Sequence, residues 1–273
     1  MKIRNYTKLL GLLCLIAFSQ WSLVAQTNTI VIKIQHKATK LCNSDSGITN
    51  LTYYVRPDIL RIDLNGPHAN SAFIFQPSSE KIWVLYHHEK VYYSMSKTDM
   101  EVVNSEIKKA EEEIKRKIEA EKAAGNDASS IIWSDGHPLQ SDNLEYLAMK
   151  KQDSLISLLM CKKYQAMRKD GGQNIMFLNN LKSTGVKDEE LQILNLFAEF
   201  MGKGTSVLAG SMDFTAFRKR DQNAYPILIE NKKNKEVCNQ LLLKIMYRDV
   251  TKDELFKVPV NFGKLENPLG HRR

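Results

Sequence analysis

This sequence of 273 residues is without the familiar catalytic signatures. It contains no G-x-S-x-G, no H-E-x-x-H, no Walker loop and no G-x-G-x-x-G between a strand and a helix. Nucleophile-elbow hydrolysis, zincin chemistry and nucleotide binding by the common loops therefore have no local support. Cysteine is scarce, with four residues and none in a C-x-x-C or zinc spacing. After the first apolar run no later one is long enough to span a bilayer. Lys, Arg and aromatic residues nowhere combine into a nucleic-acid-binding motif, and no nucleic-acid partner is expected.

What is there begins with the N-terminus. Lys2, Arg4 and Lys8 form a positive segment with no acid nearby, and Leu9 to Phe18 is apolar apart from Gly11. Small residues Ser22 and Ala25 then precede the polar Gln26-Thr27-Asn28. Charge, short apolar core and small-residue exit make up a signal-peptide pattern, with cleavage expected after Ala25 or Gln26. The run is too short for a transmembrane anchor, which needs roughly 20 residues. Leu13 before Cys14 does not suit a lipobox. Removing the three cations of residues 1–26 from the net charge of +8 leaves +5, a mild bias toward anionic lipid or polymer. Export permits one disulfide among Cys42, Cys161 and Cys238 and leaves one thiol over, and spacing does not choose the pair.

From Thr29 to Ser94 the chain reads as strands. Ile30, Ile32 and Ile34 alternate with Val31, Lys33 and Gln35, the period of two that a half-buried strand requires. Leu51, Tyr53 and Val55 alternate with Thr52, Tyr54 and Arg56, and Leu60, Ile62 and Leu64 with Arg61 and Asp63. Pro57-Asp58, Asn65-Gly66-Pro67, Pro77-Ser78-Ser79 and His87 to Lys90 punctuate these strands as turns. Short connections imply an antiparallel meander. In Ile82-Trp83-Val84-Leu85-Tyr86 both faces are apolar, so this part of the sheet must be covered on both sides or line a cavity.

Glu101 to Ala124 is dense in Glu and Lys. Met100, Val103, Ile107, Ile114 and Ile118 form a narrow apolar stripe, and Glu111 to Glu113 stand four residues before Lys115 to Lys117. The spacing predicts a long helix resting one edge on the sheet. A loop is expected over Gly125 to Gln140. A second helix is expected from Ser141-Asp142, with Leu144, Leu147, Lys151, Leu155 and Leu158 along one side. Strands follow at Met160 to Met167 and Asn174 to Leu178 around Asp170-Gly171-Gly172. A third helix is read from Asp188 to Met201, with Gly202 beyond its end. Lys203 to Met212 reads as a loop, and strands return at Tyr225 to Glu230 and Gln240 to Tyr247.

Candidate chemistry is thin. His87 and His88 are adjacent and could not chelate one metal from a strand. His36 and His137 have no acidic or cysteine partner at ligand spacing, although Asp135 could meet His137 in a polar turn. Glu111 to Glu113 lie beside their own cations, where solvation outweighs calcium binding. No metal, no cofactor and no catalytic residues are expected.

Three segments carry a resemblance. The first comprises Tyr53-Tyr54-Val55-Arg56-Pro57-Asp58-Ile59-Leu60-Arg61-Ile62-Asp63, Lys81 to Tyr86 and Lys90 to Met95. The second is Cys161-Lys162-Lys163-Tyr164. The third is Leu241 to Arg248 followed by Leu255-Phe256-Lys257-Val258-Pro259. Together they resemble a family of exported bacterial proteins similar to the outer-membrane lipoprotein carriers, the LolA/LppX-like group. The resemblance implies an α+β fold in which a curved antiparallel β-sheet forms an unclosed half-barrel with helices across its concave face. It implies one domain over 27–273 after a signal peptide over 1–26, with a charged helical insertion at about 98–124. Carriers of this kind hold acyl chains in the hollow, so the expected function is non-enzymatic binding of a lipid or lipoprotein acyl chain in the periplasm or at the outer-membrane periphery. Candidate cavity residues are Tyr54, Leu60, Ile62, Phe73, Phe75, Trp83, Leu85 and Tyr93. The alternative is an envelope protein-interaction module with a packed core that docks a partner through the helix 101–124. A hydrolase acting on envelope material is the third reading.

Overall fold

A computed structural model describes residues 27–39, 46–67, 69–125, 147–167, 172–202, 224–233 and 235–266. The expected signal peptide, Cys42, the turn at 170–171, His137 and the loop after Lys203 lie outside the described residues.

The strands are β1 (Thr27–Ala38), β2 (Gly47–Val55), β3 (Leu60–Gly66), β4 (Ala69–Gln76), β5 (Lys81–Tyr86) and β6 (Val91–Ser96), then β7 (Leu147–Ile156), β8 (Leu159–Met167), β9 (Gln173–Asn180), β10 (Ala224–Lys233), β11 (Glu236–Thr251) and β12 (Gly263–Lys264). The helices are α1 (Lys97–Ala123) and α2 (Gln192–Met201). All twelve strands form one curved, unclosed sheet in the order β12-β6-β5-β4-β3-β2-β1-β11-β10-β9-β8-β7. Every pair is antiparallel except β12 with β6, which is parallel. The two meanders join where β1 pairs β11, placing Ile32 beside Met246.

Alternation in the sequence explains the burial. On β1, Ile30, Ile32 and Ile34 are at most 4% exposed and share one face, here called the inner face. Across the register this face continues through Tyr53 to Ile62, Phe73 and Val84. Helix α2 packs on it with Ile193, Leu194, Phe197 and Met201. Pro226, which cannot donate to a ladder, pairs Leu178 beside the register irregularity between β10 and β9.

The charged helix forms as its pattern requires. Ser96 and Asp99 cap it reciprocally, the Ser96 N–H and hydroxyl each donating to Asp99 Oδ2 at 2.8 Å. Lys109–Glu106 and Lys117–Glu113 pair along its exposed side. Met100 and Val103 belong to the core at its start. There α1 meets the end of α2 closely: a Cβ at Gly202, whose φ is +54°, would stand 2.7 Å from the Asn104 side chain.

One expected element is corrected. Residues 147–156 form a strand of a tight hairpin, not the flank of a helix starting near Ser141. Ile156 pairs Leu159 and Leu155 pairs Met160, so Ser157-Leu158 is the whole turn. Both residues have positive φ, +49° and +66°. Such turns ordinarily carry Asn-Gly. With that signature absent, the leucine spacing mimicked a helix.

Candidate functional site

The eight candidate residues divide between the two faces of the sheet. Leu60, Ile62, Phe73, Phe75 and Tyr93 lie on the inner face with the main core. Leu60 pairs Phe75 and Ile62 pairs Phe73, so four of them form a block across β3 and β4. Phe75 lies under α2, its ring centroid 5.5 Å from Phe197 and 5.1 Å from Phe200. Tyr53, Val55, Ile82 and Val84 complete this block, and the sequence reading left them out of the candidate set. For Tyr53 and Val55 the signal was present in the alternation of their strand, whereas β5 is apolar on both faces and its alternation could not single out Ile82 and Val84. Burial raises the pKa of Tyr53 and of Tyr93, the latter also bonding Tyr86.

Tyr54, Trp83 and Leu85 face the other way. Trp83 pairs Ile74 and Leu85 pairs Ala72, whereas Phe73 and Phe75 pair Val84 and Ile82. A strand displays alternate residues on opposite faces, so these three cannot share one hollow with Phe73. Trp83 and Leu85 form a second apolar cluster with Ala72, Ile74, Ile59 and Tyr92, closed by Val258 and Phe262. The doubly apolar strand β5 is therefore covered on both sides.

The cover on the outer face is the chain after β11. Arg56, 5% exposed, holds its start. Nε donates to Thr29 Oγ1 at 3.0 Å, Nη1 to Asp253 Oδ1 at 2.7 Å and Nη2 to the Thr251 carbonyl at 2.8 Å. The guanidinium lies 4.3 Å from the Phe256 ring centroid. Arg61 donates to the Leu255 carbonyl at 2.6 Å and to Asp63 at 2.6 Å. The strap ends on the sheet edge, where the Gly263 N–H donates to the Lys90 carbonyl and the Leu265 N–H to that of Tyr92. Arg56 and the Leu-Phe-x-Val-Pro stretch thus belong to one clamp. An open notch of about 370 Å³ adjoins it, lined by Ser94, Lys264, Leu265 and Glu266 and by none of the eight candidates.

Of the titratable groups, His87 sits at the strap, 5.8 Å from the Phe262 ring, with its pKa lowered by burial and then by Arg61. His36 lies on the inner face. Burial lowers its pKa against an opposing hydrogen bond with Asn239, and its Nε2 is shut off from solvent with no partner among the described residues. Cys161 is a buried free thiol and Cys238 is disulfide-bonded, which removes Cys161 from the pairing. Among the described residues no three His, Cys, Asp or Glu side chains converge as metal ligands, and no helix is long and apolar enough to cross a membrane.

No protein-family model and no curated protein matches this chain. Among solved structures it is similar to an uncharacterized conserved protein from Thermus thermophilus, with TM-score 0.43 and 7% identity over 89% of this chain and 91% of that one. It is also similar to the Pseudomonas aeruginosa MucA/MucB complex, with TM-score 0.37 and 7% identity over 90% of this chain but only 60% of the matched chain. A Vibrio parahaemolyticus domain assigned as an outer membrane lipoprotein-sorting protein matches with TM-score 0.27 and 8% identity, over 86% of this chain and 91% of that domain. All three scores lie below 0.5, and none of these likenesses carries an argument about function.

Proposed function

We propose that the chain is exported, loses residues 1–26, and works in the periplasm or at the outer-membrane periphery. There it acts as a non-enzymatic protein that binds a lipid or a lipoprotein acyl chain on the inner face of its unclosed sheet. In this reading α1 and α2 lie across the hollow side and α1 is an insertion into a single domain.

One observation supports it above the others. The inner face is apolar from β5 through β1 to β9, and among the described residues α2, the segment 181–191 before it and the first turns of α1 pack on it. Twelve strands spaced by about 4.8 Å make a sheet on the order of 50 Å wide before curvature. A helix of ten residues is only about 15 Å long. Away from the Phe75–Phe197 contact the apolar face continues through Ile34, Leu51, Leu241 and Leu243, all of them buried, and in this reading an acyl chain inserts among them.

The test is native mass spectrometry of the chain from Thr27, purified gently from a bacterial periplasm. A bound mass released as phospholipid or fatty acid on denaturation supports the reading. A clean apo mass, with no uptake of added lipid or fluorescent fatty acid, overturns it. The second reading, a packed module that docks a protein partner through α1, then takes its place. Its support is that Val102 is 42% exposed and that Ile107 and Ile114 are only half-buried on a helix otherwise rich in ion pairs.

A further inference from the structure

The hairpin of β7 and β8 closes one end of the sheet, β7 being last in the strand order. Its two faces differ. Ile156 and Leu159 pair across the strands and pack on the core, and Cys161 on the same face is fully buried. On the opposite face Leu155 pairs Met160, and these are 62% and 61% exposed. Leu158, between them in the turn, is 89% exposed. Asp153 and Lys162, both exposed, form the next pair on that free face.

A single exposed leucine is ordinary, but three apolar side chains gathered at one tip are not. The backbone sharpens the point. Ser157 and Leu158 hold φ of +49° and +66°, a region where a bulky side chain is out of place and Asn-Gly sits without strain. Neither packing among the described residues nor backbone preference accounts for leucine at 158. Strain kept at an exposed position points to a use for the side chain.

The neighbouring charges say what the tip meets. Residues 147–167 carry Lys150, Lys151, Lys162 and Lys163 against the single acid Asp153, which is 4 − 1 = +3. Lys162 stands about 10 Å back from the tip, at roughly 3.4 Å per residue. Lys150 and Lys151 lie where β7 shifts register between Ala148 and Asp153, level with Lys162 and Lys163 on β8. Apolar side chains of surface-bound proteins sink about 5–10 Å into the boundary of head groups and acyl chains. Lysines set back by that distance come level with the lipid phosphates. A bulged, lysine-bearing edge also resists pairing with a further strand, which argues against strand addition.

We propose that Leu155, Leu158 and Met160 dip into the surface of a bilayer containing anionic phospholipid, with Lys162 and the two lysines of the bulge against its phosphates. The contact is peripheral and reversible, since three side chains fall far short of a spanning segment. It does not depend on lipid binding at the inner face.

The experiment floats the chain from Thr27 with vesicles of phosphatidylethanolamine containing about a quarter phosphatidylglycerol, and with vesicles of phosphatidylcholine alone. The wild type is expected to float with the first, to bind the second about tenfold more weakly, and to lose binding as salt rises. Ser157→Asn with Leu158→Gly relieves the backbone and keeps the fold, yet should lower partitioning by about tenfold. Leu155→Ser with Met160→Ser should act likewise, whereas Lys162→Gln should weaken binding to the anionic vesicles alone. Leu158→Trp should add a blue-shifted emission on vesicle binding that brominated acyl chains quench. A wild type that ignores anionic vesicles, or vesicle binding that the turn substitutions leave intact, overturns the proposal. Self-association in light scattering that the turn substitutions abolish, in a chain that ignores vesicles, would assign the tip to a protein contact instead.

Discussion

Replacing Arg56 by Met is expected to unlatch the strap that covers the outer face. The side chain is 5% exposed and serves Thr29, Asp253 and Thr251 at once while stacking on Phe256. Removing one partner of a buried ion pair costs roughly 3–5 kcal/mol. Here the low end applies, because the Asp253 side chain is 39% exposed and water can take it over. Thr29 Oγ1 likewise keeps its bond to Thr251 Oγ1. The Thr251 carbonyl loses its guanidinium donor, and the stacking on Phe256, worth about 1 kcal/mol, is lost. The total is about 3 kcal/mol. With a urea m-value near 3 kcal/mol/M for a chain of this size, the midpoint should fall by about 1 M. Arg56→Lys should recover little, since an ammonium cannot reach three partners in the fixed geometry of the fork. Hydrogen exchange gives the local readout: the Gly263 and Leu265 amides, bonded to Lys90 and Tyr92, should lose protection before the amides of β1. A midpoint moved by less than about 0.2 M, with those two amides still protected, would refute the clamp.

Other perturbations follow from the same structure. Ser157→Asn with Leu158→Gly should stabilise the β7–β8 hairpin by about 1 kcal/mol, read as a rise in Tm, because it supplies residues suited to two positive φ angles; an unchanged or lower Tm contradicts it. His36 has a lowered pKa in the folded state, so its contribution is present above the unfolded value near 6.5 and is lost as pH falls below it, when the unfolded chain takes up the proton first. Urea midpoints should therefore decline from pH 7 to pH 5, and His36→Leu should flatten the part of that slope not due to His87, which shifts in the same direction. Glu190, held by two hydrogen bonds from Arg248, has its pKa lowered to about 2. Its contribution exists above the ordinary carboxylate range and disappears toward pH 2. The pair is largely solvated, so Glu190→Gln should cost no more than about 1 kcal/mol at pH 7. Under non-reducing conditions Cys161 should react with a thiol reagent only after unfolding, whereas Cys238 should react only after reduction; peptide mapping decides it.

Local alternation by itself determined the strands of the first half. Ile30-Val31-Ile32 and Leu60-Arg61-Ile62 can bury one face only as strands, and their turns carry Pro, Gly and Asn where the backbone demands them. The Glu/Lys pattern likewise required an exposed helix, and the two-faced apolarity of Ile82 to Tyr86 required cover on both sides. Which faces pack together was decided in three dimensions. Nothing local tells that Phe73 pairs Val84 rather than Trp83, and a shift of one residue would have reversed every assignment on that strand. Pairing of β1 with β11 joins the two ends of the described chain, and such a contact has no local signature. The strap depends on Arg56 and Arg61, which read in sequence as the polar side of two strands and become buried only when the C-terminal segment returns over them. The hairpin at Ser157-Leu158 escaped notice because its turn lacks the residues that its backbone prefers.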